Sequence, residues 1–476
     1  MSATSNMSRI VVVAISFLLC LTPSFAHNVT NNTTTTLTPS TKIYKGCFNK
    51  LYAFGDSSTD TGNAQSLGGL TSFSYAYPYG QTFFKETNGR LSDGRLLIDF
   101  VAEKFNLPFL PPYTNTTADF SHGANFAVAG STSLPTEYYV RHRVGRTITW
   151  KDLPENFQVQ TDWFFKFLHR NICVGKDLGM CEPSFDEALF WVGDMGTADY
   201  YRTFGNRVST DALTKMAVEN VCKIVKTLLN SGAKNVMVQG LPPTGCFPLD
   251  LSLSPKKDRD ELGCARKVNE IIVVHNDLLQ LKLKEIEKEY QGVAIMYADY
   301  WTAYRTILKE HVKYGFTEPL KACCGEGGRY NFDFHSVCGS GTSVVCPDPS
   351  KYVNWDGIHP TEAMFKSLAN LFFDGGFCRP AFDQLIRSQK CVSRETRLGN
   401  GCDSPNMGNT WEAFTILHFG MVVIRVGNVV GSYFEATMFR DENVVKSHFE
   451  AFVMRFGKHF LFFFFLPREI DTPNQS

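Results

Sequence analysis

The sequence predicts an α/β domain built on a mostly parallel β-sheet that is covered by helices on both faces. Two observations predict it. Short apolar runs end at glycines, and two long amphipathic segments are each followed by a further apolar run. Helices that alternate with buried strands are typical of this fold class. The chain has 476 residues, of which 43% are hydrophobic and 20% charged, so it is long enough for one large domain or two ordinary ones.

The N-terminus has the features of a secretory signal peptide over residues 1–26. An apolar run covers residues 10–21, Arg9 supplies a positive charge before it, and small residues lie at a cleavage point after Ala26. A membrane anchor is the alternative, but the run is shorter than the roughly 20 residues that span a bilayer. Residues 27–42 are rich in Asn and Thr and predict a disordered leader. We therefore expect a secreted protein whose ordered domain covers residues 43–390.

Export would expose the chain to glycosylation. Asn-x-Thr acceptors begin at Asn28, Asn31, Asn32 and Asn115. We expect N-glycans at one or more of them.

Export also permits disulfides. Of the 14 cysteines, Cys20 would leave with the signal peptide, so an odd number remains. Pairs such as Cys173 with Cys181 and Cys338 with Cys346 would close short loops.

The first strands are predicted from apolar runs. Residues 51–54 form such a run and are followed by Gly55, Asp56 and Ser57, which predicts a buried strand that ends in a turn. Residues 124–129 and 188–192 predict two further strands, each ending at a glycine.

Two helix–strand units follow. Residues 213–229 predict a helix with one apolar face and with Thr210 or Asp211 as its cap, and residues 235–239 predict the next strand. Residues 265–290 and 293–297 repeat this pattern. His275 lies on the apolar stripe of the second helix, so we interpret it as a core residue rather than a catalytic base. Residues 363–372 predict a last helix.

The candidate chemistry begins at Ser57, which is predicted just after a strand and at the start of a helix. In an open parallel sheet, ligands meet the carboxyl ends of the strands, and the positive end of a helix dipole helps to stabilise an anion there. A serine hydroxyl needs an adjacent base that is oriented by a third group. Asp356 and His359 supply both, with Gly357 permitting a sharp turn between them. Taken separately these signals are weak, but together they predict a nucleophile, a base and an orienting acid.

Five sequence blocks closely resemble, in order, those of the plant GDSL esterase/lipase family in the SGNH hydrolase superfamily. They are residues 54–63 (FGDSSTDTGN), 89–95 (GRLSDGR), 123–127 (GANFA), 240–246 (GLPPTGC) and 355–360 (WDGIHP). The resemblance covers about residues 48–390. It implies a three-layer α/β/α sandwich with a flavodoxin-like sheet, and hydrolysis of carboxylic esters through an acyl-enzyme, with no metal or organic cofactor.

The same resemblance implies roles for individual residues. Ser57 is the nucleophile, His359 the general base and acid, and Asp356 the orienting carboxylate. The oxyanion hole uses the Ser57 N–H and that of a glycine, for which Gly130 is favoured and Gly94 is the alternative.

The chain departs from the family pattern at two positions. Ser58 stands where the motif has leucine, which we treat as a minor change. In the segment that matches the family's Gly-x-Asn-Asp block, the asparagine whose amide is the third oxyanion donor is replaced by Ala198. Loss of one such donor typically costs about 10²–10³ in rate. We therefore expect a weakened esterase.

Three functions remain open. The favoured one is hydrolysis of lipid, polysaccharide-acetyl or phenolic esters. The first alternative is acyl transfer to an alcohol instead of water, and the second is a pseudoenzyme that retains the site for binding. The formal net charge is zero, so we expect no nucleic-acid partner.

The tail over residues 391–476 has no counterpart in the family pattern. It contains apolar patches without clear periodicity, among them a phenylalanine-rich run at 460–466 that is too short to cross a membrane. We interpret it as an atypical tail that resembles a gene-model artefact; a genuine appended segment is the alternative.

Overall fold

The computed structural model describes residues 41–68, 76–144, 155–176, 181, 183–203, 208–384 and 392–396, together with six strands between residues 411 and 464. The predicted signal peptide, the leader up to residue 40 and the acceptors Asn28, Asn31 and Asn32 lie outside the described residues. The chain divides into two compact units, Met1–Arg397 and Leu398–Ser476.

The strands and helices of the first unit alternate along most of its length. Its strands are β1 (Thr41–Lys45), β2 (Lys50–Phe54), β3 (Gly123–Asn125), β4 (Ala188–Val192), β5 (Asn235–Gln239), β6 (Ala294–Ala298), β7 (Glu318–Ala322), β8 (Cys324–Gly325), β9 (Val344–Val345), β10 (Tyr352–Asn354), β11 (Cys378–Arg379) and β12 (Val392–Thr396). Its α-helices are α1 (Asn63–Leu67), α2 (Leu97–Phe105), α3 (Thr136–His142), α4 (Phe157–Phe167), α5 (Thr197–Thr203), α6 (Thr210–Asn230), α7 (Pro248–Leu253), α8 (Arg266–Glu289), α9 (Tyr300–Lys309) and α10 (Glu362–Phe373).

The central sheet has six strands in the order β11-β6-β5-β4-β2-β3. The strands β2 to β6 are parallel, and the short β11 pairs antiparallel with β6 at the edge. Numbered along the chain, the parallel strands lie in the order 2-1-3-4-5, which is the flavodoxin-like order. The predicted α/β class with a mostly parallel sheet is confirmed.

Successive residues of the central strands pack on opposite faces of the sheet, as the twofold repeat of a strand requires. Ala53 and Trp191 face the core shared with α2, α9 and α10. Tyr52 and Phe54 face the core shared with α4, α6 and α8. The helices therefore cover both faces, which gives the three-layer α/β/α arrangement.

Most predicted elements are found within a few residues of their predicted limits, but the cap of one helix was predicted wrongly. The helix predicted at 213–229 is capped by neither Thr210 nor Asp211. Its cap is Ser209, whose side chain accepts from the Ala212 N–H at 3.5 Å. His275 is fully buried on α8, where its Nδ1 lies 3.0 Å from the Tyr200 hydroxyl, in agreement with a core role.

The strand predicted at 124–129 ends at Asn125. The Phe126 N–H still donates to the Ala53 carbonyl of β2 at 2.7 Å, but the backbone groups of Ala127 bond to side chains. The Ala127 N–H donates to Asn125 Oδ1 at 2.9 Å, and the Ala127 carbonyl accepts from Asn63 Nδ2 at 2.9 Å. The segment up to Gly130 is therefore an irregular loop, not a strand.

Four disulfides are described in the first unit. Cys173 is bonded to Cys181, as suggested by their spacing. The predicted bond between Cys338 and Cys346 is wrong. Each of them is bonded instead to one of two neighbouring cysteines, in the bonds Cys324–Cys338 and Cys323–Cys346. The pairing of β8 with β9 explains this, since it brings the Cys346 N–H within 2.7 Å of the Cys323 carbonyl. The fourth bond joins Cys246 to Cys264.

The second unit contains antiparallel strands. Four of them form one sheet, namely β13 (Trp411–Leu417), β14 (Gly420–Val426), β15 (Phe434–Arg440) and β16 (Asn443–Phe449). A separate pair comprises β17 (Ala451–Phe456) and β18 (His459–Phe464). The origin of this tail stays a prediction. Among the described helices of the chain, none combines the length and the apolar character that a membrane span requires.

Candidate active site

Ser57 lies in a tight turn directly after β2, at the carboxyl edge of the central sheet. The turn closes because the N–H groups of Thr59 and Asp60 both donate to the Asp56 carbonyl, at 3.1 and 2.9 Å. Ser57 itself is half-buried. The nucleophile loop is thus formed by local hydrogen bonds and leaves the serine at the edge where ligands bind in such sheets.

Ser57 does not begin a helix, so that part of the prediction was wrong. The next helix, α1, starts six residues later at Asn63. Its first N–H groups, those of Asn63 and Ala64, donate to the Asp60 carboxylate at 2.7 and 3.0 Å. Gly62 has a φ of 136°, outside the helical range, which separates the turn from the helix.

The predicted acid and base lie together in the loop after β10. His359 Nδ1 is 2.8 Å from Asp356 Oδ2, and both side chains are buried. The other carboxylate oxygen, Asp356 Oδ1, accepts the N–H groups of Ile358 and His359, each at 2.7 Å. The loop is closed by the Trp355 N–H, which donates to the His359 carbonyl at 2.7 Å. The Asp-x-x-His spacing therefore builds the dyad within one short turn.

Gly357 is needed in this turn because of a close approach. A Cβ built on Gly357 would collide with the ring of Phe332. The predicted sharp turn exists, and the space for a side chain inside it is already filled.

The hydrogen bonds keep Asp356 ionised. Burial alone would raise its pKa, but the interactions with His359 and with the backbone N–H groups of Ile358 and His359 outweigh it, so the pKa of Asp356 is lowered. A carboxylate therefore faces Nδ1 of the imidazole. This fixes the ring with Nε2 as the nitrogen that points away from Asp356.

His359 Nε2 is buried and has no hydrogen-bond partner among the described residues. The structure describes no hydrogen bond between Ser57 and His359, so this contact stays a prediction. Catalytic hydrogen bonds often form only when substrate is bound. The nitrogen that would accept the serine proton is available for it.

Two further carboxylates lie beside the nucleophile. Asp56 precedes Ser57, and Asp194 follows β4. Burial raises the pKa of Asp56 well above its usual range, and the charge of Asp194 adds to the effect. Ser58, which stands at the leucine position of the motif, donates its hydroxyl to Asp56 Oδ1 at 3.2 Å. That departure therefore places a hydrogen bond on a carboxylate next to the nucleophile.

The loop around Gly130 comes close to the nucleophile turn. The Val128 N–H donates to the Gly55 carbonyl at 3.2 Å, and the Ala129 N–H donates to Asp60 Oδ2 at 2.8 Å. Neither the Ser57 N–H nor the Gly130 N–H donates to another described residue. Two backbone donors of adjacent loops are therefore unpaired within the described part of the chain.

Gly94 is placed differently. A Cβ on Gly94 would collide with the Glu362 carboxylate, and the neighbouring Arg95 N–H donates to Glu362 Oε2 at 2.9 Å. This loop is bound to an acidic side chain.

Ala198 is buried in the first turn of α5 and brings no donor to the site. Its neighbour Thr197 is engaged elsewhere, because its hydroxyl donates to Asp194 Oδ1 at 2.7 Å. Asp199 accepts from the Ser133 N–H at 2.7 Å and from the Tyr139 hydroxyl at 2.6 Å. The side chains next to Ala198 therefore offer no obvious replacement for an amide.

Two polar residues near the site were missed by the sequence analysis. The Tyr79 hydroxyl donates to Asp356 Oδ2 at 2.8 Å across a separation of 277 residues. Gln160, on α4, is fully buried and bonds to both backbone groups of Gly55. Neither residue lies at a spacing that would indicate a catalytic role, and only the tertiary fold brings them to the site.

In the ranges that the structure describes, no group of three or more His, Cys, Asp or Glu side chains is arranged to hold a metal ion.

The chain is similar in sequence to known esterases and lipases. Residues 51–372 match the family model of GDSL-like lipase/acylhydrolase. A GDSL esterase/lipase from Arabidopsis thaliana is 45% identical over 348 residues, which cover 71% of this chain and 89% of that protein. Acetylajmalan esterase from Rauvolfia serpentina is 35% identical over 353 residues, covering 72% and 87% of the two chains. Among solved structures, the chain is similar to LAE5, an α/β hydrolase from a lake metagenome, with 14% sequence identity. The alignment covers 68% of this chain and 93% of LAE5, and its TM-score of 0.29 is low.

Proposed function

The chain belongs to the GDSL-like lipase/acylhydrolase family, and from this premise we propose that it is a secreted serine hydrolase that cleaves carboxylic esters through an acyl-enzyme on Ser57. The observation that carries the proposal is the dyad of Asp356 and His359, joined at 2.8 Å, with the far ring nitrogen unpaired among the described residues. Asp356 orients the ring, and Ser57 lies at the carboxyl edge of the central sheet.

The proposed reaction has two halves. Ser57 Oγ attacks the ester carbonyl carbon while His359 Nε2 takes its proton. The tetrahedral intermediate then collapses, and His359 returns that proton to the departing alcohol, which leaves the acyl group on Ser57. In the second half His359 takes a proton from water, whose oxygen attacks the acyl carbon. The bond from that carbon to Ser57 Oγ then breaks, and His359 returns the proton to Ser57 Oγ as the acid leaves.

The charge on the intermediate needs donors. We assign these to the N–H groups of Ser57 and Gly130, whose loops lie against each other and which are unpaired among the described residues. Gly94 is less suited, because the space beside it is filled by the Glu362 carboxylate, which is held there by the N–H and the guanidinium of Arg95. The third donor is missing at Ala198, and the Thr197 hydroxyl is already bound to Asp194. A slow esterase is the expected result.

The proposed substrates are lipid, polysaccharide-acetyl or phenolic esters. One of the relatives is named acetylajmalan esterase, which favours testing small acetyl esters first. Secretion would follow from the predicted signal peptide. Asn115 is exposed, so this acceptor is open to glycosylation.

A second candidate function is a pseudoenzyme that binds esters without turnover. Ala198 favours it, since the site lacks one of the three donors that its family uses.

The test is hydrolysis of p-nitrophenyl acetate and butyrate by the full chain, secreted from a eukaryotic host, with Ser57→Ala as the matched control. Turnover by the parent that is lost in Ser57→Ala would support the esterase. Equal rates in both would overturn it. Covalent labelling of Ser57 by a fluorophosphonate without measurable turnover would favour the pseudoenzyme, and ester formation from an added alcohol would indicate acyl transfer.

A further inference from the structure

Tyr79 shares one carboxylate oxygen with the predicted catalytic histidine. Its hydroxyl donates to Asp356 Oδ2 at 2.8 Å, and the same oxygen is 2.8 Å from His359 Nδ1. Tyr79 is only 6% exposed. Resting on the proposed function, we infer that Tyr79 is a positioning residue, whose hydroxyl holds the Asp356 carboxylate in place and takes up part of its negative charge.

The remaining bonds of Asp356 are local. Its Oδ1 accepts from the N–H groups of Ile358 and His359, which belong to the same turn. These bonds define the shape of the turn but do not attach it to the rest of the domain. Among the described donors to Asp356, Tyr79 alone comes from a distant part of the chain.

The Tyr79 segment is fastened to the histidine loop on more than one side. The Gly80 N–H donates to the Ser92 carbonyl at 2.9 Å, and the Ser92 hydroxyl donates to the Pro360 carbonyl at 2.9 Å. The Tyr79 ring also packs edge-on against Trp355, with ring centroids 6.0 Å apart. Residues on both sides of the dyad therefore hold the tyrosine where its hydroxyl meets Asp356.

The electrostatic consequence can be measured. Burial, together with the charge of Asp356, raises the pKa of Tyr79 well above its usual range, so the hydroxyl remains a donor at neutral pH. Asp356 and Asp56 both interact electrostatically with His359. Without the hydroxyl, Asp356 would present more negative charge to a protonated imidazole. The acid limb of the activity profile should then move to a higher pH.

The test compares Tyr79→Phe with Tyr44→Phe, a matched control. Tyr44 is also buried and donates to a carboxylate, Asp374 Oδ1, at 3.0 Å. Hydrolysis of p-nitrophenyl butyrate is followed between about pH 5 and pH 9, and thermal unfolding of each variant is measured alongside. For Tyr79→Phe we expect kcat to fall about tenfold with little change in KM, the size expected for one hydrogen bond to a charged group. We also expect the acid limb of kcat/KM to move up by roughly half a pH unit.

A double variant separates positioning from packing. If Tyr79 acts through Asp356, Tyr79→Phe should cost little further activity in an Asp356→Ala background. An unchanged pH profile and kcat in Tyr79→Phe, or an equal loss in both backgrounds, would overturn the inference. Failure of the proposed function would be seen separately, as parental activity in Ser57→Ala.

Discussion

Asp56 and Asp194 occupy equivalent positions at the carboxyl edge of the sheet, each two residues beyond the last paired residues of β2 and β4, Phe54 and Val192. Both are buried, at 3% and 4% exposure; burial raises the pKa of Asp56, and the charge of Asp194 raises it further. Burial raises the pKa of Asp194 itself to about 7. Two carboxylates thus lie next to the nucleophile in a place that disfavours their charge.

This pair predicts a pH-dependent loss of stability. In the unfolded chain Asp194 ionises near its ordinary pKa of about 3.9. In the folded protein it keeps its proton up to about pH 7. Between these values the folded state binds more protons, so the free energy of unfolding falls as the pH rises. Asp194→Asn should remove the part of this fall that comes from Asp194. The melting temperature of the variant should therefore rise relative to that of the parent between pH 5 and pH 8.

Differential scanning fluorimetry at several pH values checks this prediction. Asp277→Asn, which removes an exposed carboxylate on α8, is the control and should follow the parent. Parallel curves for the parent and Asp194→Asn would show that the folded protein does not hold a proton on Asp194.

Restoring the amide at position 198 should raise the rate. Ala198→Asn places a donor where the family has one, and a gain of about tenfold or more in kcat is expected, since one donor is typically worth about 10²–10³. Ala198 is buried, so the new side chain must be accommodated beside it. Ala198→Leu adds a side chain of similar size without an amide and separates the two effects. Equal rates for the two variants would mean that this position is not part of the oxyanion hole.

The sequence identified the dyad because the residues that form it are adjacent. Asp356 and His359 are three positions apart, and their bond closes within one turn. The helix limits were predictable for a similar reason, since apolar periodicity is a local property. The strand order could be anticipated only through the family resemblance.

Features that depend on tertiary contacts were missed or predicted wrongly. The end of β3 is set by Asn63 and Asn125, whose amides bond to the backbone there. The partners of Cys338 and Cys346 depend on the pairing of β8 with β9. Tyr79 and Gln160 could not be identified from the sequence, because no neighbouring residue indicates which backbone group or carboxylate each of them binds.

Gln160 should be needed for full activity, although it lies on α4 and not in the nucleophile loop. Its Nε2 donates to the Gly55 carbonyl at 2.7 Å and to the Ser131 hydroxyl at 3.0 Å, and its Oε1 accepts from the Gly55 N–H at 3.0 Å. The side chain thus joins the nucleophile loop to the Gly130 loop. Gln160→Leu would leave buried groups unpaired, at a cost of about 1–3 kcal/mol in stability.

We expect kcat to fall as well in Gln160→Leu, because the distance between the two proposed oxyanion donors would no longer be fixed. Gln158→Leu, two residues away on the same helix but exposed, is the control. Activity and urea unfolding are measured on both. If Gln160→Leu lowers only the free energy of unfolding and the folded protein keeps the parental kcat, the expectation is contradicted.

The disulfide Cys324–Cys338 should support the active site as well as the fold. The Cys324 N–H donates to the Trp355 carbonyl at 2.7 Å, and the Cys323 N–H donates to the Asn354 carbonyl at 3.0 Å. These bonds hold the strand that leads directly into Asp356. Replacing Cys324 and Cys338 by alanine should therefore lower kcat even at temperatures far below the melting temperature. The free energy of unfolding should also fall by about 2–5 kcal/mol, which is typical when a native disulfide is removed.

The control is the double alanine variant of Cys173 and Cys181. Their bond closes a loop after α4, where the Cys173 N–H donates to the Leu168 carbonyl at 2.7 Å. This control variant should lose stability but keep the parental kcat, because the backbone of Trp355 and Asp356 is held by other residues. Initial rates at 20 °C and melting curves of both variants decide the matter. If the two variants lose activity only in proportion to their unfolded fraction, the loop of Cys323 and Cys324 stabilises the fold without positioning Asp356.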